Sequence, residues 1–127
     1  MVNTILLAAV TLLGLASLAA ADTGTATFYT PSYVPSACYG YQDKGVMIAA
    51  ASDVIWDNRV ACGRRYSVTC TGPTNQVVPQ PCRGSVVVTI VDYCPASCAA
   101  TFDLSQEAFT IIADPNAGKV QIEYHQV

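Results

Sequence analysis

The chain has 127 residues, of which 12% are charged, with six Cys, seven Tyr and a formal net charge of −3. That length holds one domain, not two. The acidic balance and the sparse cations exclude a nucleic acid or an anionic membrane surface as the expected partner.

Residues 1–21 contain sixteen apolar side chains and no charged one. Ile5 to Ala21 is broken only by Thr11, Gly14 and Ser17, and it ends in Ala19-Ala20-Ala21 before Asp22. This is the pattern of a cleaved signal peptide, with the cut expected after Ala21 and one domain expected over residues 22–127. The run is at the short limit for a bilayer span and lacks flanking Lys or Arg, so no membrane insertion is expected after cleavage.

The mature part holds thirteen Val and six Ile but a single Leu, Leu104. β-Branched side chains suit a pleated surface, so a mainly β domain is predicted. In chain order, strands are predicted at Thr25–Thr30, Val46–Ala51 and Arg65–Cys70. In the last of these Tyr66, Val68 and Cys70 alternate with Arg65, Ser67 and Thr69. Thr71–Gly84, with three Pro and two Gly, is predicted to be a surface loop tied down at Cys82. Ser85–Val91 is continuously apolar and reads as a strand covered on both faces. A short helix is predicted over Gln106–Ile112. Ser105 caps it, Leu104 and Phe109 staple it, and it stops before Asp114-Pro115. Val120, Ile122 and Tyr124 alternate through the last strand. About six short strands, one helix and six Cys point to a small closed barrel.

All six cysteines, Cys38, Cys62, Cys70, Cys82, Cys94 and Cys98, lie in the mature part, as in a disulfide-bonded secreted domain. Residue pattern alone leaves fifteen pairings open. The single His, His125, lies two residues from the C-terminus, and no C-x-x-C pair occurs. No metal site, no cofactor and no Ser-His-Asp or Cys-His arrangement is therefore expected. The glycines are scattered and form no phosphate cradle.

Five motifs occur in order: Ser36-Ala37-Cys38-Tyr39-Gly40, Ile55-Trp56-Asp57-Asn58, Ala61-Cys62-Gly63-Arg64-Arg65-Tyr66, Val91-Asp92-Tyr93-Cys94 and Thr101-Phe102-Asp103-Leu104-Ser105. Together they resemble the plant natriuretic peptide-like proteins, single-domain relatives of expansin domain 1 and of family-45 endoglucanases. Barwin-like defence proteins are a more distant likeness. The resemblance implies a six-stranded double-psi β-barrel with a short helix and three disulfides, Cys38–Cys62, Cys70–Cys82 and Cys94–Cys98. It also implies an apoplastic signalling protein acting in water and ion homeostasis through a cell-surface receptor, with Pro31–Tyr66 as the active segment; the low charge and small size make a monomer the expectation. The alternative is a cell-wall polysaccharide-binding or wall-modifying protein that uses an expansin-like groove. The second domain of expansins is expected to be absent.

Two carboxyls bear on catalysis. Asp103 matches the position of the endoglucanase general acid, and its apolar neighbours Phe102 and Leu104 favour the protonated form. Asp92 matches an acidic position lining the expansin groove. Each also has a structural alternative. Asp103 is placed to favour the nearby helix N-terminus, and Asp92 to accept backbone hydrogen bonds before Cys94-Pro95. Hydrolysis normally needs an acid and a second carboxyl. The first predicted strand carries no carboxylate, and Thr101 stands where the motif has His. No hydrolase is therefore expected, leaving a single-carboxyl cleavage route or binding alone. Tyr29, Trp56 and Tyr93 are the candidate sugar- or protein-contacting rings, and Arg64 and Arg65 the candidate basic contact. Phe28, Phe102 and Phe109 are the candidate core aromatics.

Overall fold

The structure, a computed structural model, describes residues 21–127. The expected signal peptide lies outside the described residues apart from Ala21. Among the described residues, no helix is long and apolar enough to cross a membrane.

Six strands close into one barrel: β1 (Asp22–Tyr29), β2 (Ile48–Ala51), β3 (Arg65–Pro73), β4 (Ser85–Tyr93), β5 (Phe102–Ser105) and β6 (Val120–Gln126). Their order around the barrel is β1-β5-β2-β4-β3-β6, closing back on β1. The pairs β1–β5 and β2–β4 are parallel and the other four antiparallel. Closure leaves no free strand edge in a chain rich in β-branched residues. Among the described residues two short α-helices decorate the barrel, α1 (Asp53–Trp56) and α2 (Gln106–Ile112).

The interior is filled by matching large side chains to small ones. Phe102 on β5 faces Ala26 across β1 and Ala51 across β2, while Leu104 faces Ala49. The alanines leave room for Phe102, which packs on Tyr66 and Tyr124 with ring centroids 5.3 and 5.0 Å apart. Phe102 and Phe109 are fully buried, and Phe28 is half-buried against Phe109 at 4.9 Å. The alternations read from β3 and β6 hold, with Tyr66, Val68, Cys70, Val120, Ile122 and Tyr124 all facing inward.

The α2 helix follows its sequence signals. Ser105 Oγ accepts from the Ala108 N–H at 3.0 Å, and Leu104 and Phe109 are both buried. The same hydroxyl donates to the Val46 carbonyl, tying the helix start to the segment before β2. The three disulfides join Cys38 to Cys62, Cys70 to Cys82 and Cys94 to Cys98, as the family resemblance implies.

Several expectations need correction. The β4 strand is not covered on both faces along its length: Val86, Val88 and Ile90 point inward, whereas Val87 is exposed. Only its last residues are covered outside, by the segment between β1 and β2. The Cys38 N–H of that segment bonds the Val91 carbonyl at 2.9 Å, and Ile48 and Val91 are buried beneath it. β2 starts at Ile48 rather than Val46, and β3 runs on through Thr71–Pro73, so the surface loop begins at residue 74. Phe102–Ser105 forms a strand, although the sequence signals there spoke only for a helix cap.

Candidate functional site

The site begins with an irregularity. In the β2–β4 pair, Ala49 lies opposite Ile90, but Ala50 lies opposite Asp92. Val91 is therefore an extra residue, a β-bulge. Without it, the two-residue period would turn Asp92 toward the core with Ala51. The bulge turns the carboxylate outward.

Across β2, Ala50 also pairs with Asp103, and across β5, Asp103 pairs with Thr27. Asp92, Ala50, Asp103 and Thr27 thus form one row on the outer face of four adjacent strands. With strands about 4.8 Å apart, the Cα atoms of Asp92 and Asp103 are separated by roughly 9.6 Å. Ala50 is a small, buried floor between them. A groove between two acidic walls is the result.

The two carboxylates are held differently. Asp92 Oδ1 accepts from the Ala37 N–H at 3.0 Å and from its neighbour Tyr93 N–H at 2.9 Å. It fastens the overlying segment to β4. Asp103 is half-buried and accepts a single side-chain bond, from Thr27 Oγ1 at 3.0 Å. Burial pushes its carboxyl above the ordinary Asp range, and the Thr27 hydroxyl pulls the opposite way. It lies on β5, one residue short of Leu104 and two short of the Ser105 cap.

Tyr29 completes the row's β1 side, two residues beyond Thr27. Its hydroxyl is buried and has no hydrogen-bond partner. Burial first, then the charges of Asp92 and Asp103, hold this phenol well above its usual range. The ring meets Tyr33 edge-on at 5.1 Å, and Tyr33 in turn donates to Glu107 Oε2 at 2.6 Å.

At the β4 end stand the other two candidate rings. Trp56 and Tyr93 lie 5.2 Å apart, and the Tyr93 hydroxyl donates to Asp53 Oδ1 at 2.6 Å. The basic neighbour of Trp56 is Arg59, whose guanidinium lies 5.9 Å from the indole and donates to the Ala37 carbonyl at 2.6 Å. Asp57, Asn58 and Arg59 all have positive φ, 48°, 51° and 76°, a strained turn that carries Arg59 back over Trp56. Arg64 instead pairs with Asp57 at 3.5 Å, and Arg65 lies exposed on β3 opposite Thr89. The strand registers therefore bring Asp92 and Asp103 into one row with Tyr29 beside it on β1, set Trp56 and Tyr93 together at the end of β4, and leave Arg64 and Arg65 outside that row.

Thr27, Ala50 and Asp53 adjoin these residues, though the sequence motifs did not single them out, and Arg59, a candidate basic contact together with Arg64 and Arg65, lies over Trp56 apart from that pair. The period-2 pattern of Thr25-Ala26-Thr27-Phe28-Tyr29 carried the signal for Thr27, which shares Tyr29's face. Ala50 carried none, because the bulge that aligns it with Asp92 is not a sequence pattern, and Asp53 enters only through its contact with Tyr93. Among the described residues, no group of three His, Cys, Asp or Glu side chains is arranged to hold a metal.

A closed, mixed barrel of six strands with this acidic groove is a double-psi β-barrel domain, and residues 48–124 match the family model described as lytic transglycolase. Similarity to known proteins is more specific. An EG45-like domain containing protein of Citrus jambhiri is 63% identical over 113 residues, covering 88% of this chain and 86% of that protein. An EG45-like domain containing protein 2 of Arabidopsis thaliana is 40% identical, covering 87% of this chain and 84% of its own. The chain belongs to the EG45-like domain family. Expansins are more distant. A mutant of the Clavibacter michiganensis expansin, solved in complex with cellohexaose, superposes with a TM-score of 0.64 at 28% identity. That match covers 85% of this chain and spans half of the expansin.

Proposed function

We propose that the outer groove binds a cell-wall polysaccharide chain and does not hydrolyse it. The observation that carries this reading is the unequal state of the two carboxylates. Asp103 is a half-buried acid facing the groove, whereas Asp92 is held by two backbone N–H groups on its Oδ1, which fix it as an anchor for the overlying segment. Hydrolysis needs a second carboxyl free to attack or to activate water. The Trp56–Tyr93 pair supplies ring surface for sugar stacking at one end, and Asp103, with the Thr27 hydroxyl bonded to it, supplies a polar contact at the other. An expansin mutant that superposes on this barrel was crystallised with a cellulose oligosaccharide, cellohexaose. The three disulfides and the N-terminal signal support an apoplastic location.

The test is incubation of the mature domain and its Asp103→Asn variant with insoluble cellulose, xylan, chitin and native wall material. Retention on a polysaccharide without soluble sugar, weakened by the substitution, is the expected result. Sugar release that depends on Asp103 would replace binding with single-acid cleavage, the chemistry in the name of the matched family model.

A second reading, receptor signalling in water and ion homeostasis, has its own observation. The segment Pro31–Tyr66, closed by Cys38–Cys62, exposes Tyr41, Val46, Val54 and Val60, large apolar side chains suited to a protein contact. A change in protoplast volume on adding folded protein, abolished by Tyr41→Ala with Val60→Ser, would support it. No response would leave wall binding as the whole function.

A further inference from the structure

Beside the groove lies a cavity of about 310 Å³ lined by Thr25, Thr101, Ser52, Asp53 and the turn that Cys94–Cys98 closes. Its position follows from the strand registers. Thr25 and Thr101 share the outer face with Thr27 and Asp103, two residues back along β1 and β5. That displacement is about 6.6 Å along the strands, whereas the Asp92–Asp103–Thr27 row runs across them. A chain following the row therefore has the cavity at its flank. The volume is at the small end of ligand pockets, enough for a single small group rather than a second chain.

The lining defines the chemistry of that group. Thr25, Thr101 and Ser52 line it together with Asp53, whose Oδ1 takes the Tyr93 hydroxyl and whose Oδ2 has no bond among the described residues. No Lys or Arg lines the cavity, and Asp53 opposes a second negative charge. Val54, Pro95 and Ala96 give it an apolar wall. Thr101 packs so closely on β1 that a Cβ on Gly24 would lie on top of its Oγ1, so this wall is fixed rather than yielding.

Ser52 provides an independent pointer. Its hydroxyl is one of two buried side-chain polar atoms without a partner among the described residues, the other being the Tyr29 hydroxyl. A buried hydroxyl with no bond is disfavoured unless something else satisfies it. Ser52 is one of the residues lining the cavity, so a group bound there is a partner its hydroxyl can take.

We infer that this cavity is a side-group subsite that takes a neutral, hydroxyl-rich single-sugar branch, so that the groove selects substituted over unsubstituted polysaccharide chains. This inference rests on the groove reading. Uncharged branches fit and uronic acid branches do not, because Asp53 faces them.

Calorimetric titration of the disulfide-intact domain tests it with three oligosaccharides: cellohexaose, the same backbone carrying xylosyl branches, and a glucuronosyl-branched xylan oligomer. The xylosyl-branched oligomer should bind about tenfold more tightly than cellohexaose, a ratio equal to about 1.4 kcal/mol. Ala96→Phe, which fills the cavity from an exposed position, and Ser52→Ala should each reduce that ratio below about threefold. Both should leave the cellohexaose affinity unchanged. Equal affinity of the wild-type domain for the first two oligomers overturns the subsite and leaves the groove reading standing. Tighter binding of the glucuronosyl oligomer overturns the neutral assignment. Failure to bind any of the three overturns subsite and groove together.

Discussion

Two outer faces of the same barrel differ in what covers them. On β3 and β6, Arg65, Ser67, Gln121, Glu123 and His125 alternate with core residues, and no other segment packs over them. On β2 and β5, both faces are covered. Ala49, Ala51, Phe102 and Leu104 fill the interior, while Ile48, Ala50 and Ser105 are buried from the outside as well. The first face is a solvated wall. The second is a built surface, where a bulge, a loop tied down by Asp92 and Arg59, and a capped helix converge on Asp103. Groove and cavity both border the covered face, because strands buried on both sides can hold polar side chains in fixed positions.

The largest effect expected on this contrast is in the core behind the covered face. Phe102→Ala should cost about 3–5 kcal/mol in chemical denaturation, since Tyr66 and Tyr124 lose their common partner. Glu123→Ala on the other wall should change stability by less than about 0.5 kcal/mol. A comparable loss at both positions would break the comparison.

Next is the cap. Ser105→Ala removes the acceptor for the Ala108 N–H and the donor to Val46, so about 1–3 kcal/mol should be lost in the same assay. The loss should exceed that of Thr110→Ala, whose hydroxyl only back-bonds to the Gln106 carbonyl on the exposed side of α2.

Asp103→Asn sharpens the account through pH. Burial raises the folded-state pKa of Asp103 above its unfolded value. The folded state therefore holds its proton longer, and Asp103 costs stability as pH rises from the unfolded value through the folded one. Below about pH 4 wild type and Asp103→Asn should be equally stable, and above the folded pKa the variant should be the more stable. Thermal unfolding from pH 3 to 7 checks this. A variant less stable at pH 7 would make Asp103 a stabilising charge. The smallest effect is Thr27→Val. Loss of the hydroxyl that favours ionised Asp103 should move its titration further upward, as read by carboxyl NMR, with little change in stability.

The same contrast explains what the sequence disclosed. Strands β3 and β6 were legible because one face meets water, so Tyr66-Ser67-Val68 and Ile122-Glu123-Tyr124 carry a two-residue period. The α2 helix was legible from Ser105, Leu104, Phe109 and Pro115, all local signals. β5 was not, because four residues that double as a helix cap leave no room for a separate period. β4 looked uniformly covered because Val87 is an apolar residue left in solvent. For the candidate site, motif order singled out Asp92, Asp103, Trp56 and Tyr93. What motifs omitted was their alignment, which depends on the extra residue Val91 and on Ala50 lying two strands away from neither carboxylate but one from each.

The most direct measurement is an amide NMR titration of the mature domain with cellohexaose. The account predicts shifts at Thr27, Ala50, Tyr93 and Asp103, with Ser67, Glu123 and His125 unmoved. Shifts centred on β3 and β6, or none at saturating oligosaccharide, would contradict it.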